Sequence, residues 1–434
     1  MTTVTALSRV RRQLSRRSAF PAIPRVSLAP TRGGEAFFDA VIDQPWDGTP
    51  SRSRPSDGMR IAVLLFAAAW GANHFAPLLL VYRVRLQLSP SDLGILFGVY
   101  AVGLVPGLLF GGPLSDRRGR RLVVLPSACL ALAGTIVLAA GSSGFPLLLA
   151  GRLVVGVGSG ATFSAGTAWI QDLAARHGAG VGARRAAIAL SSGFGGGPLI
   201  AGIIAQWSPR PMLVPFLVQA VLLLGAIVAV WRIPAPPPPA RGAVGSPSRS
   251  PLPPRFFREV VPIAPWVFTF ASIAFIVLPG LVRARAGRFA VVYAGLVTAA
   301  TLFSGVAVQP LVRRTTPRRA GTLGLIAGSV GLMVGIGAVA WLSLAGVLAA
   351  AVLLGVGYGA CLIAGLRWIE AATVPASRGR VTGAFYVFTY LGFAAPFLLA
   401  ASAPRLGDRA SLACAAVLAL ATAAHVARGG LRAS

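Results

Sequence analysis

Three polar residues lie inside long apolar runs, where a side chain that ionises or forms hydrogen bonds is costly to bury. Asn73 and His74 lie about halfway along the first run, and Asn73 is the only asparagine in the chain. An imidazole can take a proton near neutral pH, so His74 is a candidate proton carrier; a structural hydrogen bond between helices explains both residues equally well. Arg152 lies in the fourth run. It can face the bundle interior or snorkel to the membrane surface.

A second cluster lies between the second and third runs and extends from Gly112 to Arg121. Its glycines, Gly112 and Gly119, allow a tight turn. Asp116 can pair with an arginine and can face the positive end of a neighbouring helix. An ordinary excess of basic residues at a membrane surface would explain Arg117 and Arg120, but it would not explain Asp116 or the glycine spacing.

A third group lies in the fifth run, where Gly193, Gly197 and Gly202 accompany Pro198. Small residues at this spacing let two helices approach closely, and a proline inside a helix removes one hydrogen bond and bends the segment. Generic small-residue packing is the competing explanation for the glycines.

The elements that carry these residues follow from hydropathy. Hydrophobic residues make up 55% of the chain and charged residues 12%, with a mean hydropathy of +0.75. Apolar runs of about 20 residues that cross a bilayer must be helical, because lipid offers no hydrogen bonds to the backbone. The sequence predicts an all-α membrane protein with twelve such helices, over residues 60–82, 92–113, 122–141, 145–172, 185–206, 211–231, 261–282, 288–312, 320–341, 343–372, 379–402 and 408–428.

The formal charge of +29 comes with 40 arginines and no lysine. If the N-terminus is cytoplasmic, 30 of these arginines lie in the two tails and the even-numbered loops, and eight lie in the odd-numbered loops. This bias predicts that both termini are cytoplasmic and that the protein spans the inner membrane several times. It also explains the charge without a nucleic-acid partner. The bilayer is the expected surrounding.

An internal repeat divides the helices into two sets of six. Gly156 and Gly160 recur as Gly355 and Gly359, at an offset of 199 residues. A Trp-Ile pair at 169–170 recurs at 368–369 with the same offset, and Pro198 recurs as Pro396. The repeat predicts two bundles in parallel orientation, over residues 59–232 and 261–434.

Two segments lie outside these bundles. Residues 233–260 are rich in proline and arginine and are predicted to be a cytoplasmic linker. Residues 1–58 are predicted to be a disordered cytoplasmic tail, or upstream sequence translated from a misassigned start before Met59; the arginine-rich, acid-free beginning also has the composition of a transit peptide.

The loop from Gly112 to Arg121 matches the pattern G-x-L-a-D-r-x-G-r-r almost throughout. With the repeat, it makes roughly the last 375 of the 434 residues resemble the major facilitator superfamily. The resemblance implies that Gly112, Asp116, Arg117, Gly119 and Arg120 form a latch between the halves on the cytoplasmic side, and that it favours the outward-open state. A candidate partner in the second half is Arg380, at the start of the eleventh helix.

Further motifs resemble the same family. The segment from Arg152 to Gly156 resembles R-x-x-q-G without its Gln, which links Arg152 to proton transfer. The glycines around Pro198 resemble the antiporter motif, with Ala201 in place of one glycine, and favour export. The helices that would line the cavity contribute Thr269 and Phe270, and also Tyr358, Tyr386 and Tyr390. Such a lining suits an amphipathic organic solute. No carboxylate lies in the middle of any helix, which argues against proton coupling.

Asp172 and Glu370 end the fourth and tenth helices at related places, where they are expected to be solvated gate charges. Arg367 is three residues before Glu370, so a local ion pair is expected.

The resulting hypothesis is a monomeric secondary transporter for a small organic solute, with export by proton antiport as its expected direction and coupling. An uptake permease or facilitator, and a non-transporting membrane scaffold, are the alternatives. No metal-ligand cluster, Ser-His pair or phosphate loop points to an enzyme, a metal or a cofactor.

Overall fold

The computed structural model describes residues 55–141, 144–174, 181–233 and 252–428, and these residues form helices and short connections without strands. Twelve helices are long and apolar enough to cross a membrane. We number them α1 to α12 in chain order: Ser56–Arg85, Pro90–Arg118, Arg120–Ala139, Phe145–Ala174, Val181–Trp207, Val214–Trp231, Pro254–Leu281, Arg283–Val312, Pro317–Ala340, Leu344–Ala372, Ser377–Leu406 and Asp408–Arg428. The predicted count and fold class are confirmed.

Several helices are longer than the predicted apolar runs because polar residues cap them, whereas α6 begins at Val214, three residues later than predicted. Ser89 and Asp92 form a reciprocal cap at the start of α2: the Asp92 backbone N–H donates to Ser89 Oγ (3.1 Å), and the Ser89 backbone N–H donates to Asp92 Oδ2 (2.9 Å). At the other end α2 continues to Arg118 and stops at Gly119. Hydropathy alone detects the apolar part of such a helix and misses its polar ends.

The outer surface of the bundle is apolar, as lipid requires. Five large side chains on four different helices are about two-thirds exposed or more: Val102, Phe110, Val221, Leu311 and Val417. These residues face the hydrocarbon around the bundle.

Helix pairing repeats six helices later along the chain. In the first half α2 and α3 pack on α4, α1 packs on α5, and α3 packs on α6. In the second half α8 and α9 pack on α10, α7 packs on α11, and α9 packs on α12. The halves meet where α5 packs on α8 and where α2 packs on α11. These two contacts are equivalent, because α5 corresponds to α11 and α2 corresponds to α8 in the repeat. The structure thus has two pseudo-symmetric six-helix bundles.

Glycines make the pairing of α2 with α4 unusually close. A Cβ atom on Gly156 would lie 2.3 Å from the backbone oxygen of Tyr100, and one on Gly160 would lie 2.3 Å from that of Leu104. Without attraction between apolar surfaces in lipid, helices associate through close packing of this kind. The repeat-related Gly355 and Gly359 play the same part between α10 and α8.

Prolines interrupt three helices near their middle. In α1 the helix ends at Asn73 and resumes at Phe75, because Pro77 has no N–H for the Asn73 carbonyl and its ring presses on that carbonyl. In α7 a π-helical turn, Ile273–Val277, precedes Pro279 in the same way.

The interruption in α11 is a 3₁₀ turn, Leu391–Ala394, followed by Pro396. Pro396 cannot donate to the carbonyl of Gly392, which accepts instead from the backbone N–H of Ala395 in the 3₁₀ turn. The hydroxyl of Ser272 on α7 also donates to that carbonyl (3.3 Å), so a side chain from a neighbouring helix supports the interruption.

We refer to the two ends of the bundle by residues: the Asp116 end holds the α2–α3 loop, and the Arg83 end is the opposite one. Two predicted segments fall largely outside the described residues, namely 1–54 of the tail and 234–251 of the linker. The last residues of the predicted linker are helical, because Pro254–Glu259 already belong to α7. The domain boundaries remain predictions.

Candidate functional site

Arg120 is the centre of a polar cluster at the Asp116 end. Its Nε donates to Asp172 Oδ2 at the end of α4 (2.8 Å), and its Nη1 donates to Ser115 Oγ (2.8 Å) and to Asp116 Oδ1. Ser115 Oγ in turn donates to the carbonyl of Gly112 (2.7 Å). One guanidinium, at the start of α3, therefore joins the ends of α2 and α4.

The two carboxylates of this cluster are about two-fifths exposed, whereas the Arg120 side chain is 18% exposed. Asp172, expected to be a solvated gate charge, instead pairs with Arg120 in the first half. Arg117 is exposed to solvent. The role of Arg380 as a partner of the cluster stays a prediction, as does the role of the whole loop as a latch.

Gly119 lets the chain turn between α2 and α3. Its φ angle is +96°, in the region that side chains with a Cβ rarely adopt, although an added Cβ would meet nothing within 4 Å. We expect Gly119→Ala to destabilise the protein by about 1 kcal/mol through backbone strain alone. Thermal unfolding in detergent would measure this, with Gly379→Ala as the control because its added Cβ also meets nothing within 4 Å and its φ is not positive. An unchanged midpoint for Gly119→Ala would contradict the strain argument.

Arg367 at the end of α10 forms the matching contact in the second half. Its Nη1 donates to the carbonyl of Thr315, in the α8–α9 connection. The ion pair expected between Arg367 and Glu370 is not among the salt bridges of the described residues, and the Glu370 carbonyl accepts instead from Arg378 (3.2 Å). The end of α4 and the end of α10 are thus each tied to a loop of their own half. Among the described residues, the contact in the first half is an ion pair and that in the second half is a hydrogen bond to a backbone carbonyl.

Arg152 lies in the interior of the first half and is fully buried. Its Nη1 donates to the carbonyl of Ala72 on α1 (3.2 Å), and its Nε donates to the carbonyl of Leu96 on α2 (3.3 Å). The guanidinium carbon lies 4.5 Å from the ring centroid of Phe75 and 4.4 Å from that of Tyr100. Cation–π contacts in a water-poor site are worth about 2 kcal/mol each, and they are part of what holds this charge inside the bundle.

His74 lies at the interruption of α1 and is also fully buried. Its Nδ1 donates to the Gly71 carbonyl (3.0 Å), and its ring packs edge to face on Phe216 of α6 (4.9 Å between centroids). Asn73 is half-buried. His74 therefore faces the inside of the first half, away from the contact between the halves.

Aromatic side chains meet at the centre of the molecule, and we call the group formed by Phe268, Tyr358, Tyr386, Tyr390 and Phe393 the aromatic cluster. Phe268 of α7 stacks on Tyr390 of α11, with centroids 4.8 Å apart and rings 11° from parallel. Tyr386 stacks beside Tyr390 at 6.3 Å, and Tyr358 of α10 lies 6.0 Å from Phe268.

The aromatic cluster reaches the first half through Phe97 of α2, whose ring lies 4.8 Å from that of Phe393. The three tyrosines selected from the sequence are therefore brought together at the contact between the halves. Sequence reasoning named Phe270 on α7 and missed Phe268. Phe270 is fully buried and packs on Trp266, whereas Phe268, two residues away, faces the cluster. The two phenylalanines differ because they lie on different faces of α7. The sequence does not show which face points to the cluster, because the π-helical turn before Pro279 changes the helical spacing.

The glycine motif of α5 packs the helix between its neighbours. A Cβ atom on Gly193 would lie 2.4 Å from the carbonyl oxygen of Phe66, and Gly197 meets Trp70 on the same helix, α1. Gly202 faces α8 of the second half, where the Pro198 carbonyl also lies close to Gly295. The motif thus takes part in one of the two contacts between the halves.

A cavity of about 410 Å³ opens between the halves at the Arg83 end. Its walls are mostly apolar and come from α1, α2, α7, α8, α11 and α12. The charged residues that line it are Arg83 of α1 and Asp408 of α12. No motif in the sequence predicts this cavity, because it forms only where six helices meet. Within the described ranges, no group of three His, Cys, Asp or Glu residues is placed to hold a metal ion.

Comparison with known proteins identifies the family. A family model described as Major Facilitator Superfamily matches residues 61–425. Quinolone resistance protein NorA of Staphylococcus aureus (strain MRSA252) is 30% identical over 170 residues, 39% of this chain and 43% of that protein. Multidrug resistance protein MdtL of Salmonella paratyphi C (strain RKS4594) is 32% identical over 94 residues, 22% of this chain and 24% of that protein. The alignments thus span less than half the length of either relative.

Solved structures show the same fold at low identity. The nucleoside transporter NupG aligns with a TM-score of 0.66 and 14% identity, covering 85% of this chain and 98% of that one. A variant of the peptide transporter POT aligns with a TM-score of 0.69 and 14% identity, covering 87% of this chain and 95% of that one.

Twelve apolar helices in two related halves, with an aromatic cluster where the halves meet, define a multi-pass membrane protein. The chain belongs to the major facilitator superfamily.

Proposed function

We propose that this transporter exports an amphipathic organic solute by alternating access, in exchange for protons. The observation that carries the proposal is the aromatic cluster at the contact between the halves. Alternating access requires a site that both halves touch, and the contact of Phe97 with Phe393 places the cluster there.

The composition of the cluster supports a flat, largely apolar solute. Stacked and edge-on rings bind aromatic or cationic groups through their faces. The seven carboxylates among the described residues all lie at helix ends, away from the cluster. A site of this kind has little to offer a phosphate ester or a dicarboxylate.

Relatives support the outward direction. NorA and MdtL carry names that refer to drug resistance, and both align with part of this chain. The glycine motif of α5 resembles the antiporter motif and lies at the contact between α5 and α8. The competing function is an uptake permease or facilitator; NupG and POT, which have the same fold, are named as transporters of nucleosides and peptides. A non-transporting scaffold is the further alternative.

The proposed setting is the inner membrane, with both termini cytoplasmic and the protein working as a monomer. The Asp116 end would then be the cytoplasmic end. The latch residues, including Arg380, would bias which side is open. His74 is the proposed proton carrier, supported by its burial at the interruption of α1.

The site is tested by solute accumulation in an efflux-deficient host. We expect the intact protein to lower accumulation of at least one compound in a panel of amphipathic aromatics. Tyr390→Ala removes a ring that stacks on Phe268 and is expected to reduce export about tenfold, since such a contact is worth about 1.5 kcal/mol. Tyr390→Phe keeps the ring and should retain export.

The matched control is Phe110→Ala, which removes an aromatic ring that is 70% exposed on the lipid face. Equal accumulation with and without the intact protein, over the whole panel, would contradict the exporter proposal. If Tyr390→Ala exports as well as the intact protein, the solute does not bind at the aromatic cluster.

Coupling is tested separately by collapsing the pH gradient. We expect export by the intact protein to stop, and His74→Gln to transport only down the solute gradient. Export that continues without a pH gradient would identify a facilitator or another driving ion.

A further inference from the structure

The charge of Arg152 is incompletely compensated by the protein. The side chain is fully buried, and its contacts among the described residues are two backbone carbonyls at 3.2 and 3.3 Å and the faces of aromatic rings. The salt bridges of the described residues are made by Arg60 and Arg120, at the Asp116 end. A buried cation normally has an anionic partner, because carbonyl dipoles and ring faces replace only part of its hydration.

Further buried donors surround the same guanidinium. Nη2 of Arg152 has no hydrogen-bond partner among the described residues, and neither have the hydroxyl groups of Tyr82 and Tyr100. The ring of Tyr100 lies under the guanidinium at 4.4 Å, and that of Tyr82 lies 5.4 Å from the ring of Phe75, which the guanidinium also covers. The Ser159 hydroxyl lies beside Tyr100 and is likewise without a partner by hydrogen-bond geometry.

These groups have in common that each can donate a hydrogen bond. Tyrosine and serine hydroxyls and a guanidinium N–H all bind acceptors. Tyr82 and Tyr100 lie within electrostatic range of the Arg152 charge, and the Ser159 hydroxyl lies beside Tyr100. A ligand that only accepts hydrogen bonds and carries a negative charge would satisfy the whole set. Water would satisfy the hydroxyls but would leave the charge uncompensated.

The packing restricts the size of such a ligand. Helices α2 and α4 are in backbone contact here, since a Cβ on Gly156 would lie 2.3 Å from the Tyr100 backbone oxygen. The helices cannot separate to admit a large group without losing that contact. Because the helices stay in contact, a monatomic anion is favoured over an organic acid.

From this arrangement we infer that the first half contains a binding site for a small monovalent anion of the size of chloride, held by Arg152, Tyr82 and Tyr100. The site lies inside one six-helix bundle, apart from the aromatic cluster. It therefore goes beyond the proposed transport function and does not depend on it.

The test is the thermal stability of the purified full-length protein in detergent at constant ionic strength. Replacing sodium gluconate by sodium chloride or sodium bromide should raise the unfolding midpoint by about 2 °C or more at saturation, because a ligand that binds only the folded state stabilises it. Tyr100→Phe and Tyr82→Phe, which each remove one hydroxyl, should raise the halide concentration needed for half the effect about tenfold. Arg152→Gln should abolish the halide dependence.

Tyr293→Phe is the matched control. It removes a tyrosine hydroxyl in the second half, which donates to the Leu344 carbonyl (2.7 Å), and should leave the halide dependence unchanged. If Arg152→Gln does not fold, the two Tyr→Phe variants carry the test, and bromide located by anomalous diffraction gives a direct readout. Equal midpoints in gluconate, chloride and bromide would overturn the inference. It would also fall if the halide effect were the same in the intact protein and in Tyr100→Phe.

Discussion

Valine in place of Gly160 is expected to prevent the first half from assembling. A Cβ at this position would lie 2.3 Å from the backbone oxygen of Leu104 and 2.9 Å from the backbone nitrogen of Leu108. Both atoms belong to the backbone of α2 and cannot rotate away, so the helices themselves would have to separate. Overpacking of this kind costs about 3 kcal/mol or more, and the separation would also disturb Arg152, which bridges α4 to the α2 carbonyl of Leu96.

The measurement is the yield of monodisperse protein after membrane extraction, followed by the unfolding midpoint of whatever is recovered. Gly225→Val is the control, because Gly225 lies on the lipid-exposed side of α6 and an added Cβ meets nothing within 4 Å. The repeat-related Gly359→Val should behave like Gly160→Val, since its Cβ would lie 2.0 Å from the Gly305 oxygen. Normal yield and stability for Gly160→Val would show that α2 and α4 do not pack as closely as described.

The second large effect is expected for Arg120→Gln, which should abolish most transport while leaving the fold largely intact. The guanidinium joins Asp116, Ser115 and Asp172, so its loss disconnects the ends of α2, α3 and α4 and leaves two carboxylates without their partner. The stability loss should be only about 1 kcal/mol, since these carboxylates are well exposed and water screens them. Transport should fall at least tenfold if the cluster controls which side of the protein is open.

Arg118→Gln is the matched control, because it removes an exposed arginine from the same loop that is not one of the latch residues. Asp116→Asn and Asp172→Asn should each reduce transport, and the double variant should be no worse than Arg120→Gln, since all three act through one guanidinium. Additive losses, or full transport by Arg120→Gln, would mean that the cluster serves the first half alone and does not influence opening.

Much of the fold could be predicted from the sequence because a bilayer leaves few choices. Apolar runs of sufficient length have to be helices, so twelve runs gave twelve helices. The differences lie at the helix ends, where α2 extends to Arg118 and α6 begins only at Val214. The repeat of Gly156 and Gly160 as Gly355 and Gly359 predicted two related halves, since each pair permits the same close contact with a neighbouring helix. Family-specific spacing in the loop around Asp116 predicted the superfamily.

The partners of the polar residues could not be predicted in the same way. Asp116 was expected to pair with an arginine, and the hydrogen bond described for it comes from Arg120, four residues away. The role of Arg380 as a further partner stays a prediction. Arg367 was expected to pair along its own helix and instead contacts the Thr315 carbonyl across a loop. Helical spacing predicts which residues are neighbours within one helix. It does not predict which residues of a neighbouring helix or loop they contact.

The sequence by itself therefore determined which segments cross the membrane, how they repeat, and which polar residues are costly enough to matter. The cost of exposing polar groups to lipid acts on each membrane-spanning segment separately, so it can be recognised in the sequence of that segment alone. Only the tertiary structure decided what the polar residues do together. It placed His74 against Phe216 and gathered Phe268 and three tyrosines between the halves. It also buried Arg152 beside the hydroxyl groups of Tyr82 and Tyr100, which have no hydrogen-bond partner among the described residues. These outcomes depend on the rotation of each helix about its axis and on proline interruptions, which the packing of all twelve helices sets jointly.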